Sequence, residues 1–272
     1  MGTKLKNLFD KLWTQYTVDS PDSLKVFQLL ENEGETVIND HIAFRTFADS
    51  RVCVDELGKF WCSLGYEEKA KYRFESKKLT AKHYEHKTDE NMPKVFISQL
   101  EINEFSQLVQ EIAKKCVDQI PSHLLGHEEI LYSGACWREL DYDIYQKLLA
   151  ESEYAAWLYV FGFRANHFTV YINHMKKLNS VKAINDFLKS KGFRLNNFGG
   201  EIKGTPKELL EQSSTMANQV NVKFKQGTYL VLNSFYEFAK RYPMANGKLY
   251  QGFIAASADK LFESTNVGDN YV

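Results

Sequence analysis

The chain is short of the residues that stiffen or cross-link a backbone, with five prolines and four cysteines in 272 residues. Cys53, Cys62, Cys116 and Cys136 form no CxxC pair and no tight cluster, which excludes a zinc ribbon and a disulfide scaffold. They are expected to be reduced, with Cys53 and Cys62 serving as small buried hydrophobes beside a helix. A basic excess is also missing. The formal net charge of −1 leaves nothing to neutralise phosphates, so a general nucleic-acid binder is excluded. No apolar run is long enough to cross a bilayer, and Met1 to Asp10 lack the apolar segment of a signal peptide. The expectation is a cytoplasmic protein without membrane contact. Low-complexity segments and long linkers are absent as well, so residues 1–272 should form a single body.

What is present is a repeat. Asn39-Asp40-His41-Ile42-Ala43-Phe44-Arg45-Thr46-Phe47 is echoed by Ala165-Asn166-His167-Phe168-Thr169-Val170-Tyr171-Ile172. Both are runs of β-formers, and alternation puts His41, Ala43 and Arg45 on one face and His167, Thr169 and Tyr171 on one face. After the first come Val54, Leu57 and Phe60, then Gly65-Tyr66; after the second come Val181, Ile184 and Phe187, then Gly192-Phe193. In each copy the apolar residues are three apart and the glycine follows the phenylalanine by five, the pattern of an amphipathic helix stopped by glycine.

Around this pair the chain reads as an α+β protein of duplicated β-α-β-β-β modules. Two amphipathic helices, Lys4 to Thr17 and Leu24 to Leu30, precede a first module at about 36–102. Its later strands are expected at Lys71 to Ser76, Ala81 to His86 and Lys94 to Ile102. A helical connection covers about 103–163. His123 and His127 within it have i, i+4 spacing, but Pro121 and Gly126 favour a loop. The second module covers about 164–265. It should contain a short strand at Glu201 to Lys203 and a helix opened by Thr205-Pro206-Lys207-Glu208. Strands at Val220 to Phe224 and Thr228 to Phe238 follow.

Two such modules suggest curved half-barrels sharing a cleft, with His41 and His167 facing it. The last strand of each module would add Glu101 and Glu237. Two histidines and one carboxylate are the facial triad of non-haem Fe(II) enzymes, which leaves positions open for substrate and oxygen. The plainer alternatives are hydrogen-bonded core histidines and, for Glu237, a salt-bridged strand end. Arg45 lies roughly 13 Å along the strand from His41, beyond a metal's reach and suited to the far end of a small diacid. A buried structural ion pair is the other reading of Arg45.

Several segments carry a resemblance. Asp40-His41-Ile42-Ala43-Phe44-Arg45-Thr46, Asn166-His167-Phe168-Thr169, Gln212-Ser213-Ser214-Thr215, Phe235-Tyr236-Glu237-Phe238-Ala239-Lys240-Arg241 and Gly252-Phe253 through Ser264-Thr265 are similar to the 2-oxoadipate dioxygenase/decarboxylase family. They span most of the chain in the family's order. The resemblance implies a vicinal-oxygen-chelate fold, a curved sheet with added helices. It also implies an Fe(II) oxidoreductase acting on a small 2-oxo acid with molecular oxygen, turning 2-oxoadipate into 2-hydroxyglutarate and carbon dioxide. His41, His167 and Glu237 match the family's metal ligands and Arg45 its substrate arginine, and Gln212, Ser213 and Ser214 are expected beside the substrate. Glu101 matches no ligand of the family. The rival functions are a non-catalytic small-molecule binder of the same fold and a metal-dependent hydrolase.

Overall fold

The computed structural model describes residues 2–265. Helices α1 (Thr3–Asp19) and α2 (Pro21–Asn32) lead into β1 (Asn39–Phe47), α3 (Val54–Ser63), β2 (Tyr66–Phe74), β3 (Leu79–His86) and β4 (Lys94–Leu100). Three helices follow, α4 (Gln107–Asp118), α5 (Tyr142–Glu151) and α6 (Glu153–Phe161). The second half comprises β5 (Ala165–Tyr171), α7 (Val181–Ser190), β6 (Lys203–Thr205), β7 (Leu210–Ser214), β8 (Gln219–Phe224), β9 (Gly227–Leu232), β10 (Phe235–Arg241) and α8 (Ala255–Leu261). Among the described residues no helix is long and apolar enough to cross a membrane.

Eight strands make one sheet in the order β2-β3-β4-β1-β5-β10-β7-β6. Its centre is the antiparallel pair β1/β5, and each of these strands has a parallel neighbour on its outer side, β4 and β10 respectively. The two halves therefore match strand for strand about the β1/β5 seam. The sheet is curled, because α8 touches β2 at one edge and β6 at the other and so closes the open side. Helices α3 and α7 pack on the outer face in equivalent places.

The repeated helices bury Val54, Leu57 and Trp61 in α3, and Val181, Ile184 and Leu188 in α7. This i, i+3, i+7 stripe corrects the expected three-residue spacing: Phe60 and Phe187 sit half-buried at its border, since a helix turns once per 3.6 residues. Gly65 and Gly192 end the two helices at φ +97° and +85°, conformations that a side chain would strain.

Two expectations for the second half change. The run Thr228 to Phe238 is not one strand. It breaks at Asn233-Ser234, where Asn233 donates from Nδ2 to the Asp19 carbonyl and accepts from the Trp157 indole at its own carbonyl. Before the break β9 pairs with β8 in a separate hairpin; after it β10 joins the large sheet. The Thr205-Pro206-Lys207-Glu208 signature starts only one 3₁₀ turn, Pro206–Glu208, capped by the Thr205 hydroxyl and stopped at Leu209 with φ +68°. The chain must reverse there to run β7 back along β6, which leaves no length for a helix.

Candidate metal centre

His41 and His167 come from the paired central strands and Glu237 from β10 beside β5, where it lies in register with Thr169. All three are buried, and one ligand atom from each falls within 4.8 Å of the others. Nε2 of His41 is 3.5 Å from Glu237 Oε1, and Nε2 of His167 is 3.3 Å from Oε2. No other group of three such residues is arranged this way among the described residues.

The turned-out nitrogens are also fixed. Asn39 pairs with Val170 and His41 with Thr169, so Asp40 is an extra, unpaired residue. Likewise Ala43 pairs with His167 and Phe44 with Ala165, which skips Asn166. A bulge re-aims the side chain it carries. Here each lies against the next residue's ring: His41 Nδ1 is 2.8 Å from Asp40 Oδ1, and His167 Nδ1 is 3.0 Å from Asn166 Oδ1. Both oxygens accept, so each Nδ1 carries the proton and each Nε2 keeps its lone pair on the side of the cluster, where that of His41 also meets the Thr169 hydroxyl at 3.0 Å. Arg241 in turn grips Asp40 side-on, with Nε at 2.6 Å and Nη2 at 2.8 Å. Gln212 donates from Nε2 to Glu237 Oε1 at 2.6 Å.

The electrostatics suit a cation. Burial lowers the pKa of His41, only partly opposed by Asp40, and burial with the charges of His41 and Arg45 holds His167 well below the usual imidazole range. Both rings are therefore neutral. Burial pushes Glu237 up to about 8 despite the Gln212 hydrogen bond. Burial would raise Asp40 too, but Arg241 and Lys94 overcome it and keep that carboxyl ionised. Two neutral imidazoles and a carboxylate that is costly to ionise alone form a donor set a divalent ion would complete.

Arg45 is on the same face of β1 and lines the same cavity, about 30 Å³ in volume. Its guanidinium is buried against the rings of Tyr154 and Trp157, at 4.7 and 5.0 Å, and bonds Glu153 Oε2 at 3.1 Å and the Thr265 hydroxyl at 3.0 Å. Phe96, Phe253 and Phe262 supply apolar walls. A surface groove of about 680 Å³ between α2 and residues 191–194 contains none of the cluster.

Three residues named from the sequence stand outside the cluster. Ser213 points to the outer face, where its hydroxyl donates to Asn185 of α7 at 2.7 Å, because neighbouring residues of β7 alternate. Ser214 faces inward with Gln212 but is bonded to the Ser264 hydroxyl at 2.8 Å. Glu101 lies beyond the end of β4, bonded by Thr80 and Gln99. The register explains why it has no part in the cluster. His41 pairs with Lys94 as His167 pairs with Phe235, so the counterpart of Glu237 in the first half is Phe96. Asp40, Asn166, Arg241 and Glu153 were not foreseen. The first two had a visible signal, since each histidine is preceded by an Asx residue.

The profile of the 2-oxoadipate dioxygenase/decarboxylase family matches residues 5–125 and 128–248. The chloroplastic 2-oxoadipate dioxygenase/decarboxylase of Arabidopsis thaliana is 31% identical over 291 residues, covering 96% of this chain and 77% of that protein. A crystal structure of hydroxyglutarate synthase from Oryza sativa, in complex with 2-oxoadipate, superposes with a TM-score of 0.93 at 29% identity, covering 99% of this chain and 94% of the other. A structure from Shewanella frigidimarina, designated a hydrolase, has a TM-score of 0.87 at 49% identity over 94% of this chain and all of that one. A glyoxalase-superfamily protein from Ralstonia eutropha, 20% identical with a TM-score of 0.76 over 91% of this chain and 85% of that one, shares the fold, as expected for a vicinal-oxygen-chelate architecture. The chain belongs to the 2-oxoadipate dioxygenase/decarboxylase family.

Proposed function

We propose that this chain is an Fe(II)-dependent enzyme that converts 2-oxoadipate and oxygen to 2-hydroxyglutarate and carbon dioxide. The observation that carries the reading is the buried His41, His167 and Glu237 cluster in a small apolar cavity, with one guanidinium on the same strand face. Fe(II) held by those three groups would act as a Lewis acid toward the 2-oxo carboxylate and as the electron source for oxygen. The protein's part is positioning. Asp40 and Asn166 keep both Nε2 lone pairs directed inward, and Gln212 fixes the carboxylate of Glu237. Arg45 orients the substrate by its remote carboxylate through charge-assisted hydrogen bonds. Phe96, Phe253 and Phe262 keep water out, which strengthens each of these contacts.

The reaction balances without a co-substrate: carbon dioxide leaves with the oxygens of the substrate's own carboxylate, and both atoms of molecular oxygen enter the hydroxy acid, one in its new carboxylate and one in its hydroxyl. The test is oxygen uptake by anaerobically purified, iron-loaded protein on adding 2-oxoadipate. Equimolar 2-hydroxyglutarate and carbon dioxide are expected. Turnover of substrate without oxygen uptake would support the hydrolase designation of the Shewanella relative instead, and tight binding without turnover a non-catalytic binder.

A further inference from the structure

Arg45 is only partly satisfied. Nη1 donates to Glu153 Oε2 and Nη2 to the Thr265 hydroxyl, while the buried Nε has no partner. Nε and Nη2 form the side edge of a guanidinium, the edge that takes a carboxylate with two parallel bonds. Arg241 uses that edge on Asp40 in this same chain, at 2.6 and 2.8 Å. On Arg45 the edge meets a single hydroxyl.

That hydroxyl belongs to the last residue of a 3₁₀ turn, Phe262–Thr265, which follows α8. It lies 3.1 Å from Glu153 Oε1 and 3.0 Å from the Phe262 carbonyl oxygen, so it is wedged between guanidinium and carboxylate. Phe262 sets its ring 5.7 Å from the Arg45 guanidinium carbon and also walls the cavity. The turn is held by hydrogen bonds of the Ser264 hydroxyl with Ser214 at 2.8 Å and Asn196 at 2.9 Å, and by the ion pair of Glu263 with Lys77. Moving this one turn would clear the edge of Arg45.

We propose that the Phe262–Thr265 turn is a plug on Arg45, displaced when the substrate's remote carboxylate takes Nε and Nη2, with Glu153 remaining on Nη1 to present the edge. The inference rests on the reading of Arg45 as the partner of that carboxylate. A 2-oxo monoacid has no group to replace the hydroxyl and leaves the turn in place. Thr265 and Glu153 therefore act as specificity and positioning residues, although neither belongs to the metal cluster.

The test compares 2-oxoadipate with 2-oxohexanoate, a monoacid of equal length, on iron-loaded protein under nitrogen, by calorimetry and by amide exchange. Thr265→Val should bind 2-oxoadipate about tenfold tighter or more, because the hydroxyl's charge-assisted hydrogen bond with Arg45 no longer competes. Its affinity for 2-oxohexanoate should stay within about twofold, and Thr265→Ser should match wild type. In wild type, 2-oxoadipate should speed exchange at residues 262–265 and the monoacid should not. Unchanged or weaker binding of the diacid to Thr265→Val, or slower exchange of the turn, overturns the plug. Arg45→Ala separates that failure from failure of the reading beneath it. If Arg45→Ala loses affinity equally for both acids, Arg45 does not hold the remote carboxylate and the plug falls with it.

Discussion

Asp40 and Asn166 occupy the same position in the two halves of the sheet, each the extra residue of a bulge and each bonded to Nδ1 of the histidine that follows. The duplication thus extends beyond the two histidines to the groups that aim them. The two partners differ in charge, and Asp40 alone is paired with a buried arginine.

That difference predicts unequal costs. Asp40→Asn leaves Arg241 buried without its counter-charge, which should cost about 3–5 kcal/mol of stability. Asn166→Ala removes one neutral acceptor and should cost about 1–3 kcal/mol. Both should weaken metal binding by about 10- to 100-fold, since each frees a ligand ring to rotate or change tautomer. Metal titration and denaturant unfolding on both variants check this; equal unfolding costs would mean that the Arg241 pair adds nothing.

Gln212 and Ser213 are adjacent in sequence and opposite in role. Gln212→Ala should reduce metal affinity by about 10- to 100-fold, because Glu237 loses the donor at 2.6 Å. Ser213→Ala should leave metal affinity unchanged and cost about 1–3 kcal/mol of stability through Asn185. A metal effect from Ser213→Ala would place its side chain on the inner face after all.

How far the sequence was legible follows from where each signal sits. His41 and His167 could be found because a duplicated strand repeats them with the same neighbours. The same symmetry misdirected the search for the carboxylate, pointing to Glu101 when the register gives Phe96. Only the family resemblance selected Glu237. The contacts of Glu153 and Thr265 with Arg45 were not legible, since they span 108 and 220 residues and no local pattern records such a contact. Strand β9 alone reads as one run with β10, because β-formers continue across the break, which is set by the bond of the Asn233 side chain to Asp19 and of the Trp157 indole to the Asn233 carbonyl.

Glu237 should make the metal-free protein less stable as pH rises. Its carboxyl titrates near 8 when folded and near the ordinary glutamate value when unfolded, so between these limits the folded state binds the extra proton. Stability then falls with increasing pH. The depressed histidines act in the opposite direction, but only below about pH 6.5, where the unfolded chain protonates them. Between pH 6.5 and about 7.5 the glutamate effect dominates and should amount to on the order of 1 kcal/mol; nearer pH 8 the buried Lys94 and Lys203, both lowered to about 8, begin to oppose it. Urea unfolding of metal-free protein across this window should show the decline, and Glu237→Gln should abolish it. The same proton must leave when a metal binds, so metal affinity should rise with pH over the same range. A flat stability profile in the metal-free wild type would refute the shift.

Arg45 separates a diacid enzyme from a generic 2-oxo acid enzyme. A charge-assisted contact of its free edge with a remote carboxylate is worth about 1.5–3 kcal/mol, so Arg45→Ala should lose about 10- to 150-fold in kcat/KM for 2-oxoadipate. For 2-oxohexanoate the loss should be far smaller, since that substrate has no remote charge. Lysine should rescue only in part, because a single ammonium cannot reproduce the paired donors of Nε and Nη2. The side chain also answers Glu153 and packs among Tyr154 and Trp157, so alanine should lower stability as well. The kinetic comparison must therefore be made at equal metal content and well below the unfolding temperature. Equal losses on both acids would reduce Arg45 to the counter-ion of Glu153.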